Sequence, residues 1–350
     1  MPRRGTKLTN QFFVLCLCIF VANHLKFMRE LKYIEALNEA LLEEMEREEK
    51  VFVVGEEVGA LGGGFGATKG LLERFGPKRV LTTPISESGF TGLGVGAALT
   101  GLRPVVEIMY LDFITTAMDQ VVNQAAKLKF MSGNTVEVPL VIRMPYGVGT
   151  REAAQHSQSL EAWFMHVPGL KVAMPATAYD AKGLLKTAIR DNDPVVFIEN
   201  RMLYFKAEEV PEGEWLVRFG EAAVKREGKD LTLVALSGMA PKALEAAEAV
   251  AGEISVEVID PRTLVPLDME TIVDSVKKTG RLLITHEAPV RGGVGGEILR
   301  QAQEHCFDFL DAAPVVLGGL NTPIPFSPPL EDVCVPQTAD VIAKIREMTE

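Results

Sequence analysis

Residues 80–100 read Val-Leu-Thr-Thr-Pro-Ile-Ser-Glu-Ser-Gly-Phe-Thr-Gly-Leu-Gly-Val-Gly-Ala-Ala-Leu-Thr, and this stretch shows the dominant pattern of the chain. An apolar run over 80–85 leads through a short turn into a glycine-rich helix over 89–100. Apolar strands separated by helices are typical of a parallel sheet covered on both faces. The stretch therefore predicts an α/β fold. It also places Glu87 at the carboxyl end of a strand, where open α/β sheets bind ligands.

The same alternation continues on both sides of this stretch. Residues 203–230 break this alternation. Before the break we predict strands over 51–54, 80–85, 105–109, 140–143, 171–174 and 195–199, and helices over 30–47, 89–100, 115–131 and 179–190. After it we predict strands over 231–236, 255–259, 281–285 and 315–317, and helices over 240–250, 269–278, 296–306 and 339–348. The stretch around residues 210–213, between the two sets of elements, is polar and resembles a linker. We therefore predict two α/β domains, residues 28–205 and 220–350, joined by a linker over 206–219.

Composition excludes several classes of protein. The chain has 350 residues, is 47% hydrophobic and carries a formal charge of −11, which is globular composition with an acidic balance. Nucleic-acid binders usually show a basic footprint, so no nucleic acid is expected. The four cysteines are too few for a disulfide scaffold and form no Cys-x-x-Cys pair.

Residues 1–27 differ from the rest because they carry basic side chains and no acid. Their apolar run, residues 12–22, is shorter than the roughly 20 residues that span a bilayer, so no membrane association is expected. A signal peptide, an organelle transit segment and a translation start placed too far upstream all fit this pattern. We favour a start at Met28 and a cytoplasmic protein, with the mitochondrial matrix as the location if the segment is a transit peptide.

Three glycine-rich patches invite a dinucleotide-site interpretation, but a lone glycine pattern is weak evidence for it. Residues 62–66 precede a helix. Gly92 and Gly96 share one helix face, which predicts the close approach of another backbone. Residues 292–296 follow a strand and open a helix, which fits either an anion site or a tight turn.

Polar residues at strand ends carry the chemistry. Glu87 is either an ordinary acid at a helix start or a functional carboxylate. His156, among small and polar residues in a loop, is either a proton-exchanging group or a helix cap. Residues 191–194 form either a turn or an oxygen-rich cation site.

Together these segments resemble the β subunit of the thiamine-diphosphate-dependent 2-oxo acid dehydrogenases. The resemblance runs from about Met28 to the end of the chain, and it rests on Glu87 with its glycine helix and on residues 155–158, 168–172, 180–184, 189–194, 257–263 and 322–326. It implies a transketolase-like pyrimidine-binding domain, a parallel sheet with helices on both faces, followed by a smaller α/β transketolase C-terminal domain.

The resemblance also implies roles for single residues. Glu87 matches the glutamate that hydrogen-bonds the aminopyrimidine ring and stabilises its imino tautomer, which helps to deprotonate the thiazolium carbon. Phe113 matches the aromatic residue that packs on the pyrimidine, and Ile85 is expected to contact the cofactor as well. His156 matches a histidine near the reacting carbon, with a part in proton transfer or in acyl transfer to the lipoyl group.

Ions and partners follow from the same resemblance. A potassium site is implied, mostly through backbone oxygens, at Leu140, Ala188, Ile189, Asp191 and Asp193. Enzymes of this kind hold the diphosphate and Mg²⁺ with a Gly-Asp-Gly segment, and this sequence contains none. The expected assembly is therefore two α and two β subunits sharing thiamine diphosphate, with Mg²⁺ held mainly by the α subunit and a dihydrolipoyl acyltransferase core as further partner.

Pyruvate is the leading expected substrate, and branched-chain 2-oxo acids and acetoin are close rivals. Residues 281–289 look like the branched-chain type, whereas residues 322–332 look like the acetoin type. A non-catalytic scaffold subunit of the same fold is a second hypothesis, against which Glu87 and His156 count. A nicotinamide dehydrogenase is a third hypothesis, but the chain lacks the Gly-x-Gly-x-x-Gly fingerprint between its first strand and helix.

Overall fold

The structure is a computed structural model that describes residues 28–350. The expectations for residues 1–27 therefore lie outside the described part of the chain. The strands are β1 Met28–Lys32, β2 Val51–Gly55, β3 Val80–Thr82, β4 Arg103–Glu107, β5 Val141–Tyr146, β6 Lys171–Ala173, β7 Val195–Asn200, β8 Ala207–Pro211, β9 Ala223–Arg226, β10 Leu231–Ala235, β11 Val256–Asp260, β12 Thr263–Val265, β13 Leu282–Pro289 and β14 Val315–Gly319. The helices are α1 Tyr33–Arg47, α2 Leu71–Phe75, α3 Glu87–Leu99, α4 Ile114–Asp119, α5 Ala126–Met131, α6 Glu161–Met165, α7 Ala178–Arg190, α8 Met239–Ala249, α9 Met269–Thr279, α10 Val294–Cys306, α11 Pro328–Asp332 and α12 Thr338–Thr349.

The first sheet has seven strands in the order β12-β6-β7-β5-β4-β2-β3, all parallel except β12, which runs antiparallel to β6. Its central strands are apolar on both faces because helices cover both. Val53 packs in one hydrophobic cluster with Leu37 of α1, whereas Val54 packs in the other with Val95 of α3. The predicted parallel α/β architecture is confirmed.

A second, five-stranded sheet has the order β14-β13-β10-β11-β9, with only β9 antiparallel to its neighbour. Helices α8 and α12 pack on one face, where Ala243 and Ile345 share a hydrophobic cluster. Helices α9 and α10 cover the other face, and their cluster continues into the core of the first sheet. The two sheets therefore share one continuous apolar core.

The structure differs from the sequence-based expectation most clearly in β1 and in the expected helix over 115–131. Residues 28–32 form β1 and pair antiparallel with β8, so the first helix begins at Tyr33 and the expected linker contains a strand. The expected helix over 115–131 is interrupted by a π-helical segment, Gln120–Ala125. Tertiary packing determines both the alternating burial of β1 and the extra residue of the π turn. Helical periodicity in the sequence therefore predicts neither feature.

Close approach of helix α3 to the sheet occurs at Gly94. A Cβ on Gly94 would lie 2.6 Å from the Cγ2 atom of Val106 in β4, whereas one on Gly96 would meet nothing within 4 Å. The approach that we predicted for the face of Gly92 and Gly96 is thus made by the glycine between them. The patch over 62–66 wraps a buried carboxylate instead, because a Cβ on Gly63 would lie 2.4 Å from the Oε1 atom of Glu107.

Candidate active site

Three parallel strands end at one edge of the first sheet and bring the expected catalytic residues together. Glu87 follows β3 as the first residue of α3, Phe113 closes the turn after β4, and His156 lies in the long loop after β5. Because the carboxyl ends of neighbouring parallel strands form a crevice, this edge is where such sheets bind ligands. The contacts described below place all three residues around one small region.

Glu87 is largely buried at the amino end of α3, with 9% of its surface exposed. The hydroxyl of Thr116 lies 3.3 Å from its Oε2 atom, and the helix start favours a negative charge there. Glu56, just after β2, lies nearby. Burial raises the pKa of Glu56, and the charges of Glu87 and Glu57 raise it further. Its buried Oε1 atom has no hydrogen-bond partner within residues 28–350. The edge therefore holds two close carboxyl groups.

Apolar side chains lie beside these carboxyl groups. Ile85, in the turn between β3 and α3, is 81% exposed. Phe113 is half-buried, and its backbone oxygen accepts a hydrogen bond of 2.9 Å from Thr116, the residue that also contacts Glu87. A buried carboxyl group next to accessible apolar surface fits a heteroaromatic ring that has polar ring nitrogens. The described residues therefore fit the pyrimidine half of thiamine diphosphate.

His156 is held between two aromatic rings. The Tyr110 ring lies 4.9 Å from the imidazole centroid and the Phe113 ring 5.3 Å from it, both nearly perpendicular to it. Edge-to-face contacts of this kind orient a ring and leave its nitrogens free. In the described part of the chain, neither ring nitrogen of His156 makes a hydrogen bond, so the imidazole is available to exchange a proton.

The loop over 147–160 carries His156 without any regular secondary structure, and other segments hold it in place. Gln158 donates through its backbone and side-chain nitrogens to the Oδ1 atom of Asp112, at 3.1 and 2.9 Å. Arg201, buried just after β7, donates to the backbone oxygen of His156 at 2.5 Å. Glu331 of α11 accepts from the backbone nitrogen of Gly149 at 2.7 Å. Segments after β4 and β7 and helix α11 thus contribute to the position of the loop.

The sequence did not single out Tyr110, Glu152 or Arg201. These residues come from three separate segments and meet only in the fold. Tyr110 donates a hydrogen bond of 2.9 Å to Glu152, Arg201 pairs with the same carboxylate, and the guanidinium of Arg201 lies 4.9 Å from the centre of the Tyr110 ring. No local sequence motif predicts this arrangement. The structure reveals it as a buried arginine beside a loop whose backbone is unusual.

A buried charge network lies under this edge. Arg143 of β5 donates to both carboxylate oxygens of Glu199, at 2.9 and 2.6 Å, and also pairs with Glu107. The hydroxyl of Tyr204 donates to Glu199 at 2.7 Å. Burial raises the pKa of Glu107 even though Arg143 acts in the opposite direction. Because Glu107 also packs against Gly63, this network connects the sheet to the glycine-rich patch over 62–66.

The expected potassium residues lie at the opposite, amino-terminal edge of the sheet, away from Glu87. Arg103 donates to the backbone oxygens of Ile189 and Asp191, at 3.0 and 2.9 Å. The backbone oxygens of Leu140 and Ala188 accept bonds from the backbone nitrogens of Val195 and Asp191. Lys171 and Lys129 pair with the carboxylates of Asp191 and Asp193. Three side-chain cations already neutralise this corner, so its oxygens fit a potassium ion poorly.

A cavity of about 460 Å³ lies behind the His156 loop, between the two sheets. Its lining is Val148, Ala154, Ser157, Gln158, Ser159, Leu160, Glu287, Pro289, Leu320, Asn321, Thr322, Pro323, Ile324 and Cys334. Glu161, next to this lining, is 1% exposed. Burial raises its pKa to about 7; a backbone hydrogen bond opposes the shift, and the charge of Glu287 adds to it. The region behind the loop therefore holds a carboxyl group that takes up a proton on folding.

This proton uptake predicts a pH-dependent stability. The folded chain binds a proton on Glu161 that the unfolded chain, with a pKa near 4.5, releases, so stability falls as pH rises from that value to about 7. Relative to Glu161→Gln, we expect wild type to lose up to about 3 kcal/mol between about pH 5 and about pH 8. Denaturant unfolding at both pH values measures the difference. The exposed Glu137→Gln is the matched control, and an identical pH slope in wild type and Glu161→Gln would contradict the assignment.

Residues 28–350 contain neither a membrane-spanning helix nor a cluster of metal ligands. No helix there is both long enough and apolar enough to cross a bilayer. Within the same residues, His, Cys, Asp and Glu side chains do not gather in threes as metal ligands would.

Comparison with known proteins identifies the family. The family described as "Transketolase, pyrimidine binding domain" matches residues 29–206, and "Transketolase, C-terminal domain" matches residues 220–341. The chain is 48% identical over 315 residues to "Pyruvate dehydrogenase E1 component subunit beta" of Rickettsia conorii, covering 90% of this chain and 97% of that protein. It is 46% identical over 330 residues to "Acetoin:2,6-dichlorophenolindophenol oxidoreductase subunit beta" of Cupriavidus necator, covering 91% and 97%.

A solved structure supports the fold. "Split gene transketolase, inactive beta4 tetramer" superposes with a TM-score of 0.74 at 24% identity, covering 91% of this chain and 98% of that one. At that identity the likeness concerns architecture alone. The two domain matches and the identity to E1 β subunits over nine-tenths of the chain answer the question of ancestry. The chain belongs to the family of β subunits of the first component of thiamine-diphosphate-dependent 2-oxo acid dehydrogenases.

Proposed function

We propose that this chain is the β subunit of an enzyme that oxidatively decarboxylates a 2-oxo acid, with pyruvate as the first candidate, and passes the acyl group to lipoate on an acyltransferase core. The convergence of Glu87, Phe113 and His156 at one strand edge is the observation that carries the proposal. It supplies a buried carboxyl group, an apolar wall and a free imidazole within one small region. A scaffold subunit without chemistry has no need of this combination.

The residues of this chain act on the cofactor by binding and by moving protons. Bound thiamine diphosphate supplies the carbon nucleophile and the electron sink for decarboxylation. Glu87 is proposed to hydrogen-bond a nitrogen of the pyrimidine, where a proton shared with the carboxyl group favours the imino tautomer. Ile85 and Phe113 are proposed to pack against the ring and exclude water. His156 is proposed to transfer a proton near the reacting carbon or to assist acyl transfer to the lipoyl group.

The other half of the cofactor site is proposed to come from an α subunit in an assembly of two α and two β chains. The support is the lack of a Gly-Asp-Gly segment anywhere in the sequence, since such a segment holds the diphosphate and Mg²⁺ in enzymes of this kind. Mg²⁺ is accordingly assigned mainly to the α subunit. Potassium near Leu140 and Ala188 stays a prediction, and the Arg103 contacts count against it. The division into domains at 206–219 and the cytoplasmic or mitochondrial location also stay predictions.

The substrate is tested by co-expressing the chain with the α subunit encoded beside it. The complex is then assayed with thiamine diphosphate and Mg²⁺ on pyruvate, on branched-chain 2-oxo acids and on acetoin. We expect the highest kcat/KM with pyruvate. Acetoin is the alternative favoured by the Cupriavidus necator relative, which is itself named for acetoin, and branched-chain 2-oxo acids are the third candidate.

The same preparation separates the wider hypotheses. We expect the β chain alone to be inactive, because it is proposed to lack the diphosphate half of the site. Full activity of the lone chain would contradict the shared-site proposal. An assembled complex that turns over none of the three substrates would support the scaffold hypothesis instead.

A further inference from the structure

The loop that carries His156 has no regular secondary structure to fix its backbone. Between Tyr146 and Glu161 there is neither helix nor strand. Arg151 and Ala153 adopt left-handed φ values of 63° and 61°, and Gly147 and Gly149 adopt 105° and 111°. Non-glycine residues in this region persist only where their surroundings impose it. The position of His156 must therefore be set by contacts from outside the loop.

Arg201 provides the central contact. Its side chain is almost completely buried, and it donates to the backbone oxygens of Gly147, where the loop begins, and of His156, after the left-handed residues. The same guanidinium pairs with Glu152 inside the stretch. One rigid, planar group thus connects three points of the loop to the end of β7.

Glu152 and Tyr110 complete the contact. Glu152 accepts from the hydroxyls of Thr150 and Tyr110, at 2.6 and 2.9 Å, as well as from Arg201. Burial acts to raise the pKa of Glu152, but these hydrogen bonds and the charge of Arg201 outweigh it and lower the pKa. The carboxylate is therefore ionised at neutral pH and neutralises the buried guanidinium. The Tyr110 ring meanwhile contacts the imidazole of His156 directly.

We propose that Tyr110, Glu152 and Arg201 are positioning residues that set the direction of the His156 imidazole toward the Glu87 side of the site. The inference rests on the proposed role of His156, and it adds three residues to the functional site. Its mechanism is mechanical and electrostatic. Arg201 fixes the backbone, Glu152 keeps Arg201 in place, and Tyr110 transmits that position to the imidazole ring.

The test uses the assembled α/β complex with Tyr110→Phe, Glu152→Gln and Arg201→Met, and with Arg201→Lys as the conservative variant. We expect Glu152→Gln and Arg201→Met to lower kcat about 10- to 100-fold with little change in KM, because misplacement by about 1 Å has costs of that size. Arg201→Lys should recover part of the loss, since it keeps the charge but not the fork. Tyr110→Phe keeps the ring contact and should lose less. Glu221→Gln, in an exposed ion pair, is the control.

A double-mutant cycle with His156→Asn shows whether the effect passes through the imidazole. If it does, Glu152→Gln lowers kcat in wild type but adds nothing in the His156→Asn background. Full additivity would overturn the proposal, because the two residues would then act independently.

Hydrogen–deuterium exchange of loop peptides over 147–160 separates this inference from the role of His156. We expect faster exchange in Glu152→Gln and Arg201→Met than in wild type and in the Glu221→Gln control. Unchanged exchange in both variants would overturn the positioning proposal whatever the activity. Faster exchange combined with a fully active His156→Asn would support the role of these contacts in holding the loop but would contradict the proposed catalytic role of His156.

Discussion

Glu87→Gln is expected to lower kcat of the assembled enzyme about 10²- to 10⁴-fold, the range that positioned proton transfer contributes. Glutamine has nearly the same shape and still hydrogen-bonds, but it cannot share or release a proton. The change should therefore affect kcat far more than the apparent affinity for thiamine diphosphate. Initial rates with saturating substrate over a titration of the cofactor measure both quantities.

The control for this experiment is Glu73→Gln, an exposed glutamate of α2 that should leave the rate unchanged. Thermal unfolding of the complex shows whether loss of activity reflects loss of structure. Activity of Glu87→Gln at the wild-type level would contradict the proposed role of this carboxyl group. A lower rate with unchanged cofactor affinity and unchanged melting temperature would support it.

Arg143→Met is expected to give the largest loss of stability. The substitution leaves Glu107 and Glu199 buried without the positive charge between them, and breaking a buried ion pair from one side costs about 3–5 kcal/mol. The hydroxyl of Tyr204 still donates to Glu199 but carries no charge. Denaturant midpoints of wild type and variant measure the change.

The matched control is Arg74→Met, which removes an ion pair of 2.8 Å between two exposed side chains, Arg74 and Glu46. Exposed pairs contribute about 0–1 kcal/mol, so this variant should unfold almost like wild type. Equal effects of the two substitutions would show that the buried network is no more important than a surface contact. A double variant with Glu107→Gln should recover part of the Arg143→Met loss, because one stranded charge is then removed.

The parallel α/β fold was predictable because short apolar runs in the sequence mark its central strands. The apolar runs of β2, β5 and β7 need no knowledge of the rest of the chain, since both faces are buried along their length. Strand β1 and the π turn were not predictable in this way. The first becomes a strand only by pairing with β8, which lies about 180 residues further along the chain.

The residues of the candidate site likewise fall into those that the sequence predicts and those that it does not. Glu87 and His156 were identified from their neighbours in sequence and from the resemblance of whole segments to a family. Nothing in the sequence around Glu152 and Arg201 points to a role, because their proposed role depends on a contact between residues 49 positions apart. The potassium site stays a prediction, and the contacts that bear on it, from Arg103 to the backbone oxygens of Ile189 and Asp191, join residues 86 and 88 positions apart.

Strand β12 limits how this chain can be divided or recombined. Although β12 lies among the strands of the second sheet in sequence, it joins the first sheet and covers the open edge of β6. Thr263 lies opposite Ala173 and Val265 opposite Val172. A fragment that ended between the two family regions would expose that edge, and uncovered strand edges recruit other chains into aggregates. The two regions are therefore not interchangeable cassettes.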